Sequence, residues 1–554
     1  MSSNYFGYTL LKKPGRSKFD MSYENKLTLD MGQLVPIFQM DVVPGDIIKN
    51  HSEIFIRFMP LLAPIMHQVD CYLHWFFVPY RLVWEDWKKF ISEGDGSSGV
   101  QVSPQFPRVP IGTFDGAIGQ NSLCDYLGYY TTGSGNDEEV SLLPLRAYQM
   151  IYNEYYRDES IQPPNLFSVQ SGSVDPRPTS AIAPQLTGGT NLTKAQAIAN
   201  LVTLRYRDWE KDYFTSALAE PQRGYEAEVL LKNLAPNTGI GESDTLVQSK
   251  GTILDTISPK VAGSLSSGDI KTTSTGVLQD SSGTSIMIQS STSGANDSNG
   301  YHRHLLNLSD LGFTINELRL ANSIQKWLER ANIGGNRYIE QILSFFGVRV
   351  PDYTLQRPQF LGGGRQPVKF SEVLQTSSTD STSPQGNMAG HAFSLGSNNG
   401  FKFRANEHGL VLGIMSVRPR TAYFQGLSRF LSKFDKFDFY FPQFAHLSEQ
   451  EVLTKELYNT PTSGIRDTVF GYQERYAEYK FKNNEIHGSF QGNLDYWHLG
   501  RRFSGQPYLN DSFLTCTPSN RIFAVPSGND HLYCQVYNNC QAVRPMPKHA
   551  RPRL

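Results

Sequence analysis

Apolar and polar residues alternate with a period of two through residues 26–78, the spacing of strands that bury one face. "KLTLDMGQLVPIFQMDVVPGD" (26–46) alternates around Pro36 and Pro44, and "SEIFIRFMPLLAPIM" (52–66) is rich in β-formers broken by prolines. "VDCYLHWFFV" (69–78) has the length of a buried strand and is stopped by Pro79. Beyond Pro79 the period changes. Leu82, Trp84, Trp87 and Ile91 fall on helical spacing, with Glu85 and Lys89 an i,i+4 pair on the wet side. Residues 72–90 thus place eight aromatics in nineteen positions. The two periods assign Trp75, Phe77, Trp84 and Trp87 to a core. A stacking platform for single strands would instead interleave exposed rings with basic residues.

Residues 92–143 are dominated by Gly, Ser and Pro and read as loop. "LPLRAYQMIYNEYYRDESIQPP" (143–164) predicts a helix with Tyr148, Ile151, Tyr152 and Tyr155 on one face. After a polar stretch at 165–192, "TKAQAIANLVTLRYRDWEKDYFTSAL" (193–218) is partly helical. "TINELRLANSIQKWLERANIGG" predicts a helix capped by Thr314 with Glu317 and closed at Gly334, and "NRYIEQILSFFG" predicts a second. "RPQFLGGGRQPVKF" (357–370) reads as loop and 375–400 as another polar segment. "GLVLGIMSVRPRTAYF" (409–424) is a strand buried for much of its length. "FDFYFPQFAHLSEQEVLTKELYN" reads as a short aromatic strand, then a helix capped by Ser448 and Glu451. "GYQERYAEYKFKNNEIHGSF" and "RIFAVPS" supply further strands. Strands at both ends, with helices and long polar excursions between them, fit one β-sandwich with large loops and not a βαβ alternation.

Residues 237–300 stand apart: 32 of 64 positions are Ser, Thr or Gly, with no aromatic and no arginine. Such a segment buries too little apolar area to offset its ordering entropy as an independent core. Its alternation in "TGVLQD" and "TSIMIQS" leaves two readings open, a linker or a surface projection of hairpins.

Composition narrows the class. With 39% hydrophobic and 12% aromatic residues the chain can build a sizeable core. It has no window of about 18 uncharged apolar residues and no apolar run near its start that would serve as a secretory signal, so a soluble chain is expected. Cys71, Cys124, Cys516, Cys534 and Cys540 are few and widely spaced, which predicts structural free thiols and a reducing compartment. The net charge is −1, but its distribution matters more. Lys12, Lys13, Arg16 and Lys18 at one end, and Arg544, Lys548, Arg551 and Arg553 at the other, have no acid among them; without those eight cations the remainder carries −9. Basic arms on an acidic body suit contact with a polyanion.

Catalytic and metal motifs are wanting. "FLGGGRQP" lacks the spacing and lysine of a phosphate loop, and reads as a flexible turn. His446 has no second histidine a turn away, and His302 and His304 have no third ligand in sight. Glu154 and Asp158 read as a salt-bridged helix face rather than an acid/base pair. "VRPR" (417–420) reads as an ion-paired strand end or as a phosphate contact. No enzyme, cofactor or metal is expected.

Taken together, "LTLDMGQLVPIFQMDVVPGD", "FFVPYRLVWEDW", "LPLRAYQMIYNEYYRD", "DYFTSALAEPQRG", "RYIEQILSFFGVRVPDYTLQRPQFLGG", "DFYFPQFAHLSEQEVL", "VFGYQERYAEYKFK", "LDYWHLGRRF" and the closing "RPMP" resemble the major capsid proteins of the Microviridae, most closely the gokushovirus-like branch. The motifs run in family order from about residue 16 to 547. The resemblance implies a mainly β fold, an eight-stranded viral jelly-roll β-sandwich with long insertion loops and several short helices. It divides the chain into a basic arm (1–25), a jelly roll in two parts (26–228 and 301–540), an exposed insertion (229–300) and a basic tail (541–554). It further implies a homo-oligomer of sixty copies in a pentamer-based T=1 icosahedral shell around circular single-stranded DNA, assembled in the bacterial host cytoplasm. The implied partners are a small DNA-binding protein, a pilot protein and a host surface receptor met by the insertion. Two departures stand out: 165–192 is longer than expected, and "KHARPRL" is more basic. The rival readings are a receptor- or carbohydrate-binding β-sandwich and a non-specific single-strand DNA-binding protein.

Overall fold

The computed structural model describes residues 15–92, 104–114, 118–130, 138–169, 171, 194–224, 271–272, 278–279, 315–335, 337–374, 388–447, 449–528 and 530–549. Ten strands form its main body: β1 (Ser17–Asp20), β2 (Tyr23–Leu29), β3 (Val35–Val42), β4 (Ile47–Phe58), β5 (Val69–Pro79), β6 (Gln359–Pro367), β7 (Lys369–Leu374), β8 (Met388–Arg404), β9 (Gly409–Pro419) and β10 (Leu532–Arg544). They make two antiparallel sheets. The first runs β1-β10-β4-β8-β7, with β2 also paired to β10; the second runs β6-β5-β9-β3. The core orders β2-β10-β4-β8 and β3-β9-β5-β6 wind the chain back and forth between two four-stranded layers, which is the jelly-roll arrangement.

Burial follows the periods. β4 alternates buried and open positions over all its twelve residues, as a strand covered on one face must. β5 and β9 are buried on both faces. Leu73, Trp75, Phe77, Val411, Met415 and Val417 fill the sandwich core, while Phe76, Val78, Leu410, Leu412 and Ile414 join a second core. That second core is supplied by Trp84 and by α1 (Leu143–Ile151), whose Leu145, Ala147, Tyr148 and Ile151 are buried against it. Trp75, Phe76, Phe77 and Trp84 of the aromatic stretch 72–90 are therefore core, on both sides of one sheet, while Tyr72, Tyr80, Trp87 and Phe90 are partly covered. Lys89 pairs with Asp86 at 3.2 Å rather than with Glu85, because the helical spacing breaks into Tyr80–Val83 and Trp87–Ile91.

Several expectations are corrected. The helix from residue 143 ends at Tyr156, where Arg157 turns extended; its guanidinium donates to the Gln162 carbonyl at 2.8 Å, and the Asp158 carboxylate accepts from the Ser160 amide at 2.9 Å, closing a turn instead. "FLGGGRQP" is neither loop nor turn but β6, at the edge of the second sheet. Gly363 pairs with His74, and a Cβ there would stand 2.7 Å from the Leu73 carbonyl oxygen, so only glycine allows so close an approach. From Met388 the expected polar segment is strand β8. The aromatic run 437–444 forms single 3-10 turns, followed by the strand Gln450–Leu453 and the one-turn helix Thr454–Leu457. Val469–Gln473 is a strand, but 474–490 and "RIFAVPS" contain none.

Helices α2 (Lys194–Val202), α3 (Ile315–Ile333) and α4 (Tyr338–Phe346) are present as expected, α4 closing on Gly347 at φ +68°. The expected caps at Thr314 and Ser448, and His302 and His304, lie outside the described residues. The jelly roll belongs to a compact unit comprising 1–224 and 328–554. A second unit, Tyr225–Trp327, is described at the two-residue ladder 271–272 with 278–279 and in the first turns of α3.

Candidate functional site

The jelly roll brings residues 17–20 and 541–544 together at one sheet edge. β1 pairs antiparallel with the end of β10, Ser17 opposite Arg544 and Lys18 opposite Val543, and the Met21 amide donates to the Cys540 carbonyl at 2.8 Å. Arg16, Lys18 and Arg544 thereby share that edge. Arg16, Lys18 and Lys548 are exposed. Arg544 is not: its side chain is 14% exposed, its Nε stands 3.6 Å from Oδ2 of the fully buried Asp46, and its Nη2 donates to the Asp41 carbonyl at 2.9 Å. The same Oδ2 accepts from the Val43 amide at 3.1 Å. Arg544 thus clamps the β3–β4 turn, in which Gly45 takes φ +94°. Lys12, Lys13, Arg551 and Arg553 lie outside the described residues.

The other candidates resolve into intramolecular pairing. Arg418 of "VRPR" donates to the Asp208 carbonyl at 2.8 Å, and Arg420 stands 3.8 Å from Asp70 and 4.0 Å from Glu210. Glu154 pairs with Arg357 at 3.7 Å and Asp158 with Lys211, salt-bridged as expected, though Asp158 lies beyond the end of the helix and shares no helix face with Glu154. All five cysteines are buried and free. Burial pushes the thiols of Cys71, Cys124 and Cys516 up to about 12, where thiolate chemistry is suppressed.

One cluster had no signal in the sequence. The guanidinium groups of Arg207, Arg418 and Arg365 lie 4.2, 5.0 and 5.7 Å from the Tyr72 ring centre. These residues are far apart along the chain; the pairing of Tyr72 with Arg365 on one side and with Ser416 on the other brings Arg365 and Arg418 to it. Beside them His74 meets the Tyr156 hydroxyl at 2.8 Å; burial and the Arg207 and Arg418 charges push it down to about 3, so it stays neutral. Gln162 Nε2 bridges Asp208 and Asp511 at 2.9 and 2.7 Å, and burial raises Asp208 to about 6. Each group is tied to a structural partner, and among the described residues no cluster of three or more His, Cys, Asp or Glu could hold a metal. An open groove of about 740 Å³ is lined by Lys26, Phe55, Arg57, Tyr126 and Tyr533; of the described residues lining it, Asp125 is the one carboxylate. The paired acids of a glycan-cleaving site are not there.

Distributed packing, basic ends on one edge and a complete jelly roll describe a scaffold, and similarity to known proteins decides which kind. Residues 12–554 match the family described as capsid protein (F protein). The chain belongs to that family. Capsid protein VP1 of Chlamydia phage 1 is 35% identical over 97% of this chain and 96% of its own length. Capsid protein VP1 of Bdellovibrio phage phiMH2K is 34% identical over 97% and 95%, and that of Spiroplasma virus 4 is 30% identical over the same shares. As a capsid protein the chain is structural, acts in many copies and resides in the virion. Among its described residues no helix is long and apolar enough to cross a membrane. Membership of the capsid family gives no support to the receptor- or carbohydrate-binding reading.

Proposed function

We propose that this capsid protein forms, from sixty copies, a T=1 icosahedral shell of pentamers around circular single-stranded DNA, without catalysis of its own. The observation that carries the reading is the match from residue 12 to 554 on a complete jelly roll. Closed symmetry lets many modest contacts add to a stable shell. Lys12, Lys13, Arg16, Lys18, Lys548, Arg551 and Arg553 face the interior and neutralise phosphates without reading bases. Arg544, the eighth cation of the two arms, is already engaged by Asp46. The 229–300 insertion projects outward to a host receptor, and a small DNA-binding protein and a pilot protein complete a particle assembled in the host cytoplasm.

Electron microscopy of the purified chain at physiological salt tests this. Closed isometric shells of one small size are expected, and averaging them shows whether 229–300 forms the outer projections. If only monomers and small oligomers appear, with or without single-stranded DNA and the phage's internal proteins, the reading fails.

A further inference from the structure

The segment 428–447, "SRFLSKFDKFDFYFPQFAHL", is dense in aromatic residues that are not buried. All residues from 434 to 443 are exposed. Phe430 is 64% exposed and Phe434 88%, and Phe437, Phe439, Tyr440 and Phe441 each leave two-fifths or more of their surface open. The exposed fractions of these six rings add up to about three and a half whole side chains, or about 700 Å² at about 200 Å² per ring. The largest apolar patch of an ordinary monomer is about 300–600 Å², and one side of a standard protein interface is about 800 Å².

The segment is held in place. Lys433, only 5% exposed, pairs with Glu478 at 2.7 Å and lies 3.9 Å from the Tyr479 ring centre. Arg429 pairs with the buried Glu456 at 2.9 Å, and the Leu427 amide donates to the Lys455 carbonyl at 2.8 Å. The Asp438 carboxylate accepts from the Phe434 and Asp435 amides, both at 2.9 Å. The rings also brace one another and their support, Phe437 against Phe444 at 5.5 Å and Tyr440 against Tyr476 at 5.2 Å. Part-buried ion pairs thus fix the backbone while the rings stay open to solvent. Preorganisation of this kind lowers the ordering cost of binding.

We infer that 428–447 is a contact surface between copies of this chain, its rings inserting into a neighbouring subunit. The inference rests on the shell reading above and names a surface for it. The charge of the patch argues for protein rather than DNA. Of the three Lys and Arg residues in 428–447, Arg429 and Lys433 are paired with Glu456 and Glu478, which leaves Lys436 against Asp435 and Asp438; a single-strand platform needs free cations among its rings. Aromatic residues with few charges are what the centre of a protein interface is made of.

Radical footprinting of the wild-type chain, as dissociated subunits and as empty and DNA-filled shells, is the test. Oxidation of Phe430 and Phe434 is expected to fall several-fold in both kinds of shell. Rings as reactive in shells as in subunits overturn the inference alone, and protection confined to filled particles overturns it in favour of nucleic acid. Failure of the wild-type chain to form shells removes the shell reading and this surface with it. Independently, the double variant Phe430→Ser, Phe434→Ser is expected to keep the subunit's circular dichroism and melting temperature while shells are lost. Shells at wild-type yield from that variant also overturn the inference. A benzophenone placed at 434 should cross-link to a second copy; cross-links solely to another protein count against it.

Discussion

Arg544→Gln separates a structural role from a phosphate contact for the most embedded of the described residues in the predicted basic arms. The guanidinium stands 3.6 Å from a carboxylate with no exposed surface. At an effective dielectric near 20, that distance corresponds to a gross attraction of about 5 kcal/mol. Part of this offsets desolvation, and the Val43 amide still serves Asp46 after the change. The lower end of the range for stripping a partner from a buried charge, about 3 kcal/mol, is therefore expected. The assay is the denaturant midpoint of the dissociated subunit, with hydrogen exchange at 17–20 and 541–544, because the clamp supports the β1–β10 edge. Lys548→Gln, on an exposed side chain, should change stability by no more than about 0.5 kcal/mol. Adding Asp46→Asn to Arg544→Gln should recover part of the loss, since the two residues are coupled. If Arg544→Gln proves as harmless as Lys548→Gln, and lowers DNA retention as much, the clamp is wrong and Arg544 is a phosphate contact.

Other perturbations reach the tail, the buried acid and the core. Replacing Lys548, Arg551 and Arg553 by glutamine should leave shell yield unchanged, lower packaged DNA, and reduce the salt dependence of DNA binding by about 0.7 in slope for each phosphate no longer neutralised; unchanged DNA content and slope would remove the tail from the DNA-binding surface. Asp208, raised to about 6 by burial, holds its proton more tightly when folded than when unfolded. It therefore destabilises the subunit progressively as pH rises from about 4 to 6, by about 2–3 kcal/mol once fully ionised. Asp208→Asn, which keeps an acceptor for Gln162, should raise the midpoint at pH 7 and not at pH 4; an equal change at both would refute the assignment. A Cβ on Gly413 would sit 2.4 Å from the Trp75 ring, so Gly413→Ala should cost upwards of about 2 kcal/mol or abolish soluble expression; a wild-type melting temperature would show that Trp75 can move.

Strands were legible where the physics is local. β3, β4, β5 and β9 show in the spacing of apolar residues because a sandwich buries alternate positions and a doubly covered strand buries all of them. β6 was hidden because its glycines serve the neighbouring strand: what makes them a strand is the close approach of β5, a partner from the distant N-terminal part of the chain, at the Gly363–His74 pair. β10 was hidden for another reason. Its buried face carries Cys534, Asn538 and Cys540 where valine or isoleucine would announce a strand. Asn538 is acceptable there because the Ser52 hydroxyl donates to its side-chain oxygen at 2.6 Å, and Asn50 donates to Ser52 at 2.9 Å, a polar relay across β10 and β4 that no single strand reveals. The basic arms were legible as charge, but the engagement of Arg544 with Asp46 depends on a turn near the opposite end of the chain.

The two aromatic runs of this chain set the limit of such reading. Residues 72–90 and 428–447 are both dense in rings; the first read as core and the aromatic run of the second as a short strand. In the first, Trp75 and Trp84 have no exposed surface, because strand β5 has a sheet on one side and α1 with its neighbours on the other. In the second, the backbone is equally well held by Lys433–Glu478 and Arg429–Glu456, yet the rings are open. Apolar area costs free energy in water wherever it lies, so a fixed, exposed set of rings calls for a cover that the described residues do not supply. For a capsid protein the natural source of that cover is another copy, which makes assembly the completion of a core begun within each subunit.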